Sequence, residues 1–337
     1  MRTPAFILIL TAVAAALYFA FNFVGNDYLF FAGYTVLQYI VLASAWNILG
    51  GYCGYVNFGS AGFFAIGVYT TVFFYAVGQA PEDVFPEFLL APMQFIFPLP
   101  LPILIVIAGA VAGLVGLGMG YLTLRLRGVF FAIATLALSV VLETFIVNWS
   151  FVGGSRGAYV IPPNEVPIFG HFIQFLFALM LVLVIVALTT ARLIERSKLG
   201  VGFATIRDDE LAAEASGVPT LRLKLVATVV SGALMGMAGA PFPYYIGYIE
   251  PGSAFNLSYA VNSIAMPMIG GTTSWLGPLV GALLLGTLQQ VATVTISSAV
   301  NLLIVGLLLI FFVIIAPRGI VGLVQDWMRK KTKGEKS

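Results

Sequence analysis

The chain has 337 residues, of which 60% are hydrophobic and 9% charged, with a formal net charge of +2 and a mean hydropathy of +1.03. A charged fraction so far below the soluble average of about 25% excludes an ordinary water-soluble domain, and a charge this small gives no basis for a nucleic-acid partner. One cysteine, Cys53, excludes an internal disulfide framework, and one histidine, His171, cannot by itself make a histidine-based metal site; no metal and no cofactor are expected.

Apolar runs of about 20 residues are long enough to cross a bilayer as helices. They are continuous rather than alternating, so helices rather than a barrel satisfy the backbone in lipid. The first run is Ala5–Val24, read as an uncleaved helix rather than the competing signal peptide, because no convincing small-residue cleavage site follows it and more runs do. A turn at Asn26 and Asp27 leads to Tyr28–Leu49, then to the glycine-rich stretch Gly50–Ser60, and then to a third run, Ser60–Val77. The segment Gln79–Pro98 carries Glu82, Asp83, Glu87 and four prolines and reads as an acidic loop. Leu99–Leu122 follows, with Gly109, Gly113, Gly116 and Gly120 on one face, a spacing that lets helices approach closely.

Gly128–Val147 contains Glu143, and the loop after it holds Gly153–Gly157 with Arg156. Ile168–Thr190 and Leu225–Gly247 flank a charged stretch. Tyr259–Gly271 is a run of only thirteen residues interrupted by Pro267, which reads as a half-helix or re-entrant segment. Leu276–Ile296 and Val300–Ala316 complete the apolar runs, and 318–337 forms a basic tail suited to anionic headgroups. The chain therefore reads as an all-α polytopic membrane protein with about ten transmembrane segments (8–10), some short or broken. Residues 1–317 form a transmembrane domain and 318–337 the tail. With both termini cytoplasmic and the short run crossing, fifteen of the sixteen Lys and Arg fall inside and Arg156 alone falls outside, as the positive-inside rule expects.

The charged stretch Arg192–Lys224 holds eleven of the thirty charged residues, and its density predicts a solvent-exposed loop on the cytoplasmic side. Thr205 followed three residues later by Asp208 resembles a capping box. Asp208, Asp209 and Glu210 would then lie in or beside a first turn, where negative charge complements the helix dipole. Gly217 and Pro219 would end the helix. The expectation is one short helix, Asp208–Ser216, kept slim by Ala212, Ala213 and Ala215. A charged connector that merely stays wet is the alternative reading.

The stretch Gly200–Ala240, GVGFATIRDDELAAEASGVPTLRLKLVATVVSGALMGMAGA, resembles the signature loop and following helix of ABC-type permeases for branched-chain amino acids, in the M-type membrane subunit. Asn47–Thr70, Arg125–Trp149 with the GGSRG that follows, and Ile269–Leu285 resemble three further segments of that family. The resemblance implies a subunit without chemistry of its own, in a bacterial-type inner membrane. It would pair with a second homologous permease subunit, two cytoplasmic ATPase subunits and a soluble extracytoplasmic substrate-binding protein. Within the coupling loop 191–224, Arg207, Asp208, Asp209, Glu210, Ala213, Glu214 and Gly217 would form the ATPase-coupling site, with Glu210, Ala213 and Gly217 at the core of the motif.

No Gly-x-x-x-x-Gly-Lys-Ser/Thr phosphate loop occurs, so energy must come from a partner or an ion gradient. Paired glycine-interrupted segments often mark a transporter's central path. Here Gly50-Gly51 precede Gly59, Gly62 and Gly67, and Gly270-Gly271 precede Gly277, Gly281 and Gly286. Asn57, Ser60 and Asn262 would be polar groups near that path. Glu143, whose burial at mid-membrane would cost about 2.5–3.5 kcal/mol, is a fourth candidate, unless it lies a turn from the surface and reaches water. A permease for another small solute such as urea or a short amide, an ion-coupled secondary transporter and a purely structural subunit stay open as alternatives.

Overall fold

The computed structural model describes residues 3–79, 99–163, 165–166 and 169–295, together with 303, 306–307, 310 and 319–323. Among them, eight helices are long and apolar enough to cross a membrane. They are α1 (Thr3–Val24), α2 (Asp27–Asn47), α3 (Ser60–Gly78), α4 (Leu101–Thr123), α5 (Val129–Val147), α6 (Phe172–Glu195), α9 (Thr220–Gly239) and α13 (Leu276–Thr295). Short helices lie between them: α7 (Lys198–Asp208), α8 (Glu210–Ala215), α10 (Phe242–Ile246), α11 (Pro251–Ala254) and α12 (Leu257–Gly270). The chain is an all-α polytopic membrane protein. The expected acidic loop, the run Val300–Ala316 and the basic tail lie largely outside the described residues.

Local chemistry explains several boundaries. The Asn26 side chain accepts from the Tyr28 amide at 2.9 Å and starts α2, just after Gly25 ends α1. Pro102 stands in the first turn of α4, where a missing amide hydrogen costs nothing. The short run is a helix of 14 residues, α12, with Pro267 inside it. At 1.5 Å per residue it is about 21 Å long, less than the roughly 30 Å of a hydrocarbon core.

The chain divides into two compact units. The first comprises Met1–Val56, Met180–Lys224 and Val261–Ser337, the second Asn57–Leu179 and Leu225–Ala260. In the second unit the small-residue face of α4 packs on α9, with Gly109 against Met237, Gly113 against Ala233 and Val229, and Gly116 against Thr228. The α3 backbone comes closer still. A β-carbon on Gly67 would lie 1.9 Å from the Gly236 carbonyl oxygen, so only glycine fits. Two small antiparallel pairs tie down the loops: β1 (Ala158–Tyr159) with β4 (Tyr248–Ile249), and β2 (Glu165–Val166) with β3 (Gly170–His171).

In the first unit α2 packs along α13, where Gly286 meets Val36. The end of α12 lies directly on α13: a β-carbon on Gly270 would sit 1.8 Å from the Gly277 carbonyl, and one on Gly281 1.8 Å from the Met266 carbonyl. Most of α1 presents apolar side chains outward, including Leu8, Val13, Phe19 and Phe23, while Phe6 is buried near its start. Its ring meets Trp275 edge-on at 4.8 Å, and the Arg192 guanidinium lies 3.9 Å from its centroid.

Candidate functional site

The charged stretch folds differently from the single capped helix that its sequence suggests. Ser197 accepts from the Leu199 amide at 3.1 Å and starts α7, which runs through Thr205 and Arg207 to Asp208. Thr205 is thus inside a helix and turns its hydroxyl back to the Gly202 carbonyl at 2.8 Å. Asp209 is the actual cap. Extended at φ −160°, it accepts from the Leu211 and Ala212 amides at 2.9 and 3.1 Å and opens α8. The expected span Asp208–Ser216 therefore shortens to Glu210–Ala215. The earlier start follows from tertiary packing. The buried Phe203 and Ile206 hold α7 in place despite Gly200 and Gly202. Gly200 is required, because a β-carbon there would fall 2.4 Å from the Ile194 carbonyl.

The end of α8 follows the expectation. Gly217 adopts φ +82°, its amide bonds the Glu214 carbonyl, and the Val218 amide reaches the Ala213 carbonyl at 3.0 Å, a Schellman closure. Glu214 also accepts from the Thr220 hydroxyl at 2.8 Å, which ties the turn to the start of α9. Replacing Asp209 by alanine should cost about 1 kcal/mol of local helix stability. The check is hydrogen exchange, which should speed up at the Leu211 and Ala212 amides and stay unchanged in α6.

Nor is the stretch uniformly exposed. Arg192 is 5% exposed and Lys224 3%. The Lys224 ammonium donates to Glu210 at 2.7 Å and to the Tyr55 hydroxyl at 3.1 Å, and lies 4.7 Å from the Tyr55 ring centroid. The Tyr55 hydroxyl in turn donates to the other Glu210 oxygen. A charge this buried requires such partners, and removing one from a buried pair costs about 3–5 kcal/mol. Glu210 thus points into the protein, while Asp208, Leu211, Ala212 and Ala215 face outward and Ala213 is buried. Arg207 is more open. It pairs with Asp208 at 3.4 Å and its guanidinium reaches the Gly51 carbonyl at 3.4 Å.

These contacts converge on the break that follows α2. Residues Ile48–Tyr52 form a π-helical turn, a rare geometry that recurs at functional sites. Glu195, at the end of α6, accepts from the Tyr52 hydroxyl at 3.4 Å and from the Trp275 amide at 2.8 Å. Gly51 also lies against the Thr272 carbonyl, which a β-carbon would approach to 2.7 Å. Within the first unit, both glycine breaks and the charged stretch are therefore in contact. Cys53 is fully buried among these groups. Burial pushes its thiol up to about 12, the Lys224 charge lowers it and Glu210 raises it.

Of the four candidate path residues, Asn57 and Asn262 make side-chain hydrogen bonds, and Ser60 and Glu143 are placed by their helices. In the second unit Asn57 is buried and accepts from the Gly59 amide at 2.7 Å, with the buried Ser60 starting α3. The Phe58 amide donates to Thr135 at 3.2 Å, and Gly62 lies against the Ser139 hydroxyl. Thr135, Ser139 and Glu143 are spaced four apart and share a face of α5. Glu143 is half-buried, about one turn from the end of that helix. In the first unit Asn262 donates to the Tyr39 hydroxyl at 3.2 Å and accepts from Gln289 at 2.9 Å, a buried network joining α2, α12 and α13. Sequence reasoning missed Tyr55 and Lys224 as partners of Glu210, and Tyr39 and Gln289 as partners of Asn262. The readable signal was a lysine at the entrance of an apolar helix, fourteen residues after a glutamate. Among the described residues no cluster of metal-ligating side chains occurs.

The profile of a family described as the permease component of the branched-chain amino acid transport system matches residues 28–313. The chain belongs to this family. It is 26% identical over 327 residues to the high-affinity branched-chain amino acid transport permease LivM of Salmonella typhimurium and to that of Escherichia coli, covering 89% of this chain and 72% of each relative. It is 28% identical over 237 residues to a probable LivH permease of Methanocaldococcus jannaschii, covering 66% of this chain and 73% of that one. No solved structure matches. The LivM matches agree with the M-type resemblance read from the charged stretch, and the chain is a transport permease subunit.

Proposed function

We propose that this permease is the membrane subunit of an ATP-driven importer for branched-chain or similar apolar amino acids, in a bacterial-type inner membrane. It pairs with a second homologous permease subunit, carries two cytoplasmic ATPase subunits and receives substrate from a soluble extracytoplasmic binding protein. Both termini and the loop 191–224 face the cytoplasm, as the Lys and Arg distribution favours. The helix α8 is the coupling element. The observation that carries this reading is the two-sided build of α8: Ala213 and Glu210 are turned inward and held, while Leu211, 64% exposed, stands outward beside Ala212 and Asp208. An apolar side chain held out in an otherwise charged loop suits a groove on a partner protein.

The translocation path runs past Asn57, Ser60, Glu143 and Asn262. The relatives' names supply the solute class, and the separate binding protein does most of the selection. The outward apolar face of α1 contacts lipid or the second permease subunit.

Site-specific photocrosslinking tests the coupling assignment. A photoreactive residue at Leu211 in the assembled complex should yield an adduct with the ATPase subunit, and one on α1 at Phe23 should not. An assembled complex giving no ATPase adduct from position 211 would contradict the assignment.

A further inference from the structure

We infer that Tyr55, Glu210 and Lys224 form a latch that fastens the coupling helix α8 to the π-turn after α2, so that displacement of α8 is passed directly to the membrane-spanning segments. This rests on the coupling reading above and adds residues that act through α8 rather than on a ligand. Lys224 and Tyr55 are positioning residues. Both Glu210 oxygens are engaged, one by Lys224 at 2.7 Å and the other by the Tyr55 hydroxyl, and Lys224 also bonds that hydroxyl at 3.1 Å. The three groups therefore form a closed ring of charge-assisted hydrogen bonds, the strong and directional kind.

The position of the ring determines what it transmits. Glu210 is the first residue of α8, Lys224 lies in the early turns of α9, and Tyr55 follows the π-turn by three residues. A pull on α8 that moves Glu210 must carry Lys224 and Tyr55 with it or break bonds in a buried site, where an unpaired charge is costly. The π-turn is a natural receiver, since its wide helical geometry and its Gly50-Gly51 pair leave a break in α2. Tyr52 to Glu195 and Arg207 to Gly51 brace the same turn.

The chain carries a built-in reporter of the latch. Cys53, its single cysteine, is buried beside the ring, with Lys224 and Glu210 in electrostatic reach and its thiol pushed up to about 12. With the latch closed, maleimide labelling at pH 8 should be slow, because the thiolate is the reactive form. In the full complex in vesicles, Lys224→Met and Tyr55→Phe should each loosen the closure, and Tyr55→Phe, which leaves the Lys224 charge beside the thiol, should raise the Cys53 labelling rate by at least about tenfold through easier access. They should also lower solute uptake per ATP hydrolysed by about tenfold, the equivalent of a small bias in a two-state equilibrium. The exchanged pair Glu210→Lys with Lys224→Glu should recover part of both. Tyr55→Phe, which keeps the aromatic side chain and the Lys224–Glu210 ion pair but removes the hydroxyl, decides the matter if Lys224→Met fails to assemble. Wild-type labelling together with a wild-type uptake-to-hydrolysis ratio in Tyr55→Phe would overturn the latch. If uptake proves independent of ATP, the coupling reading fails, while the labelling arm still reports whether the ring closes the site over Cys53.

Discussion

Gly270→Val is expected to abolish accumulation of folded permease. Gly270 is the last residue of α12, and a β-carbon there would lie 1.8 Å from the Gly277 carbonyl oxygen and 2.9 Å from the Gly281 nitrogen. Both obstacles are backbone, so no rotamer change relieves them, and valine adds two methyl groups to the first clash. Overpacking in a core that can relax costs about 1–3 kcal/mol. Here α12 and α13 must separate, which gives up their packing, the main source of helix association in a membrane. A fluorescent fusion should show no monodisperse peak after mild solubilisation. Gly252→Val is the matched control, because nothing lies within 4 Å of a β-carbon at Gly252. A normal peak for Gly270→Val would mean that the helices do not pack this closely.

Leu211→Asp is expected to weaken ATPase binding without harming the fold. Leu211 is 64% exposed on α8, so its replacement uncovers no core, and an acid in the first turn complements the helix dipole. Its loss should be felt only in a complex. A central apolar anchor truncated at an interface typically costs about 2 kcal/mol or more, and burying a carboxylate in its place adds to that. The affinity for the ATPase should therefore fall by at least about thirtyfold, each 1.4 kcal/mol being a factor of ten. Titration of the solubilised permease with the ATPase measures this, with the fusion peak confirming an intact fold. An unchanged affinity would remove Leu211 from the interface. Glu210→Lys is a poorer probe, because Glu210 is held internally by Lys224 and Tyr55.

The helices were legible in the sequence because membrane burial requires long apolar runs, and such runs dominate any composition. The close helix contact of Gly109, Gly113 and Gly116 was equally legible, since small residues at that spacing have few other uses. Gly217 and Pro219 marked the end of α8 for reasons of backbone geometry alone. The start of α8 was not legible. Thr205 and Asp209 are both good caps, and the choice went to Asp209 because Phe203 and Ile206 bury themselves and carry α7 past Thr205. The burial of Arg192 and Lys224, and the inward turn of Glu210, were hidden for a similar reason. Charge in sequence signals water, and only tertiary structure brings Phe6, Trp275 and Tyr55 around those groups. The meeting of the two glycine breaks at Gly51 and Thr272 is a contact between distant segments that no local pattern encodes.

The central claim is that this permease moves solute by coupling to ATP hydrolysis on a partner. Uptake of a labelled branched-chain amino acid into vesicles that contain the permease, its partner subunit, the ATPases and the binding protein tests it most directly. Uptake should require ATP on the ATPase side and persist when an uncoupler collapses the ion gradients. Uptake by this chain alone, abolished by the uncoupler and indifferent to ATP, would contradict the account.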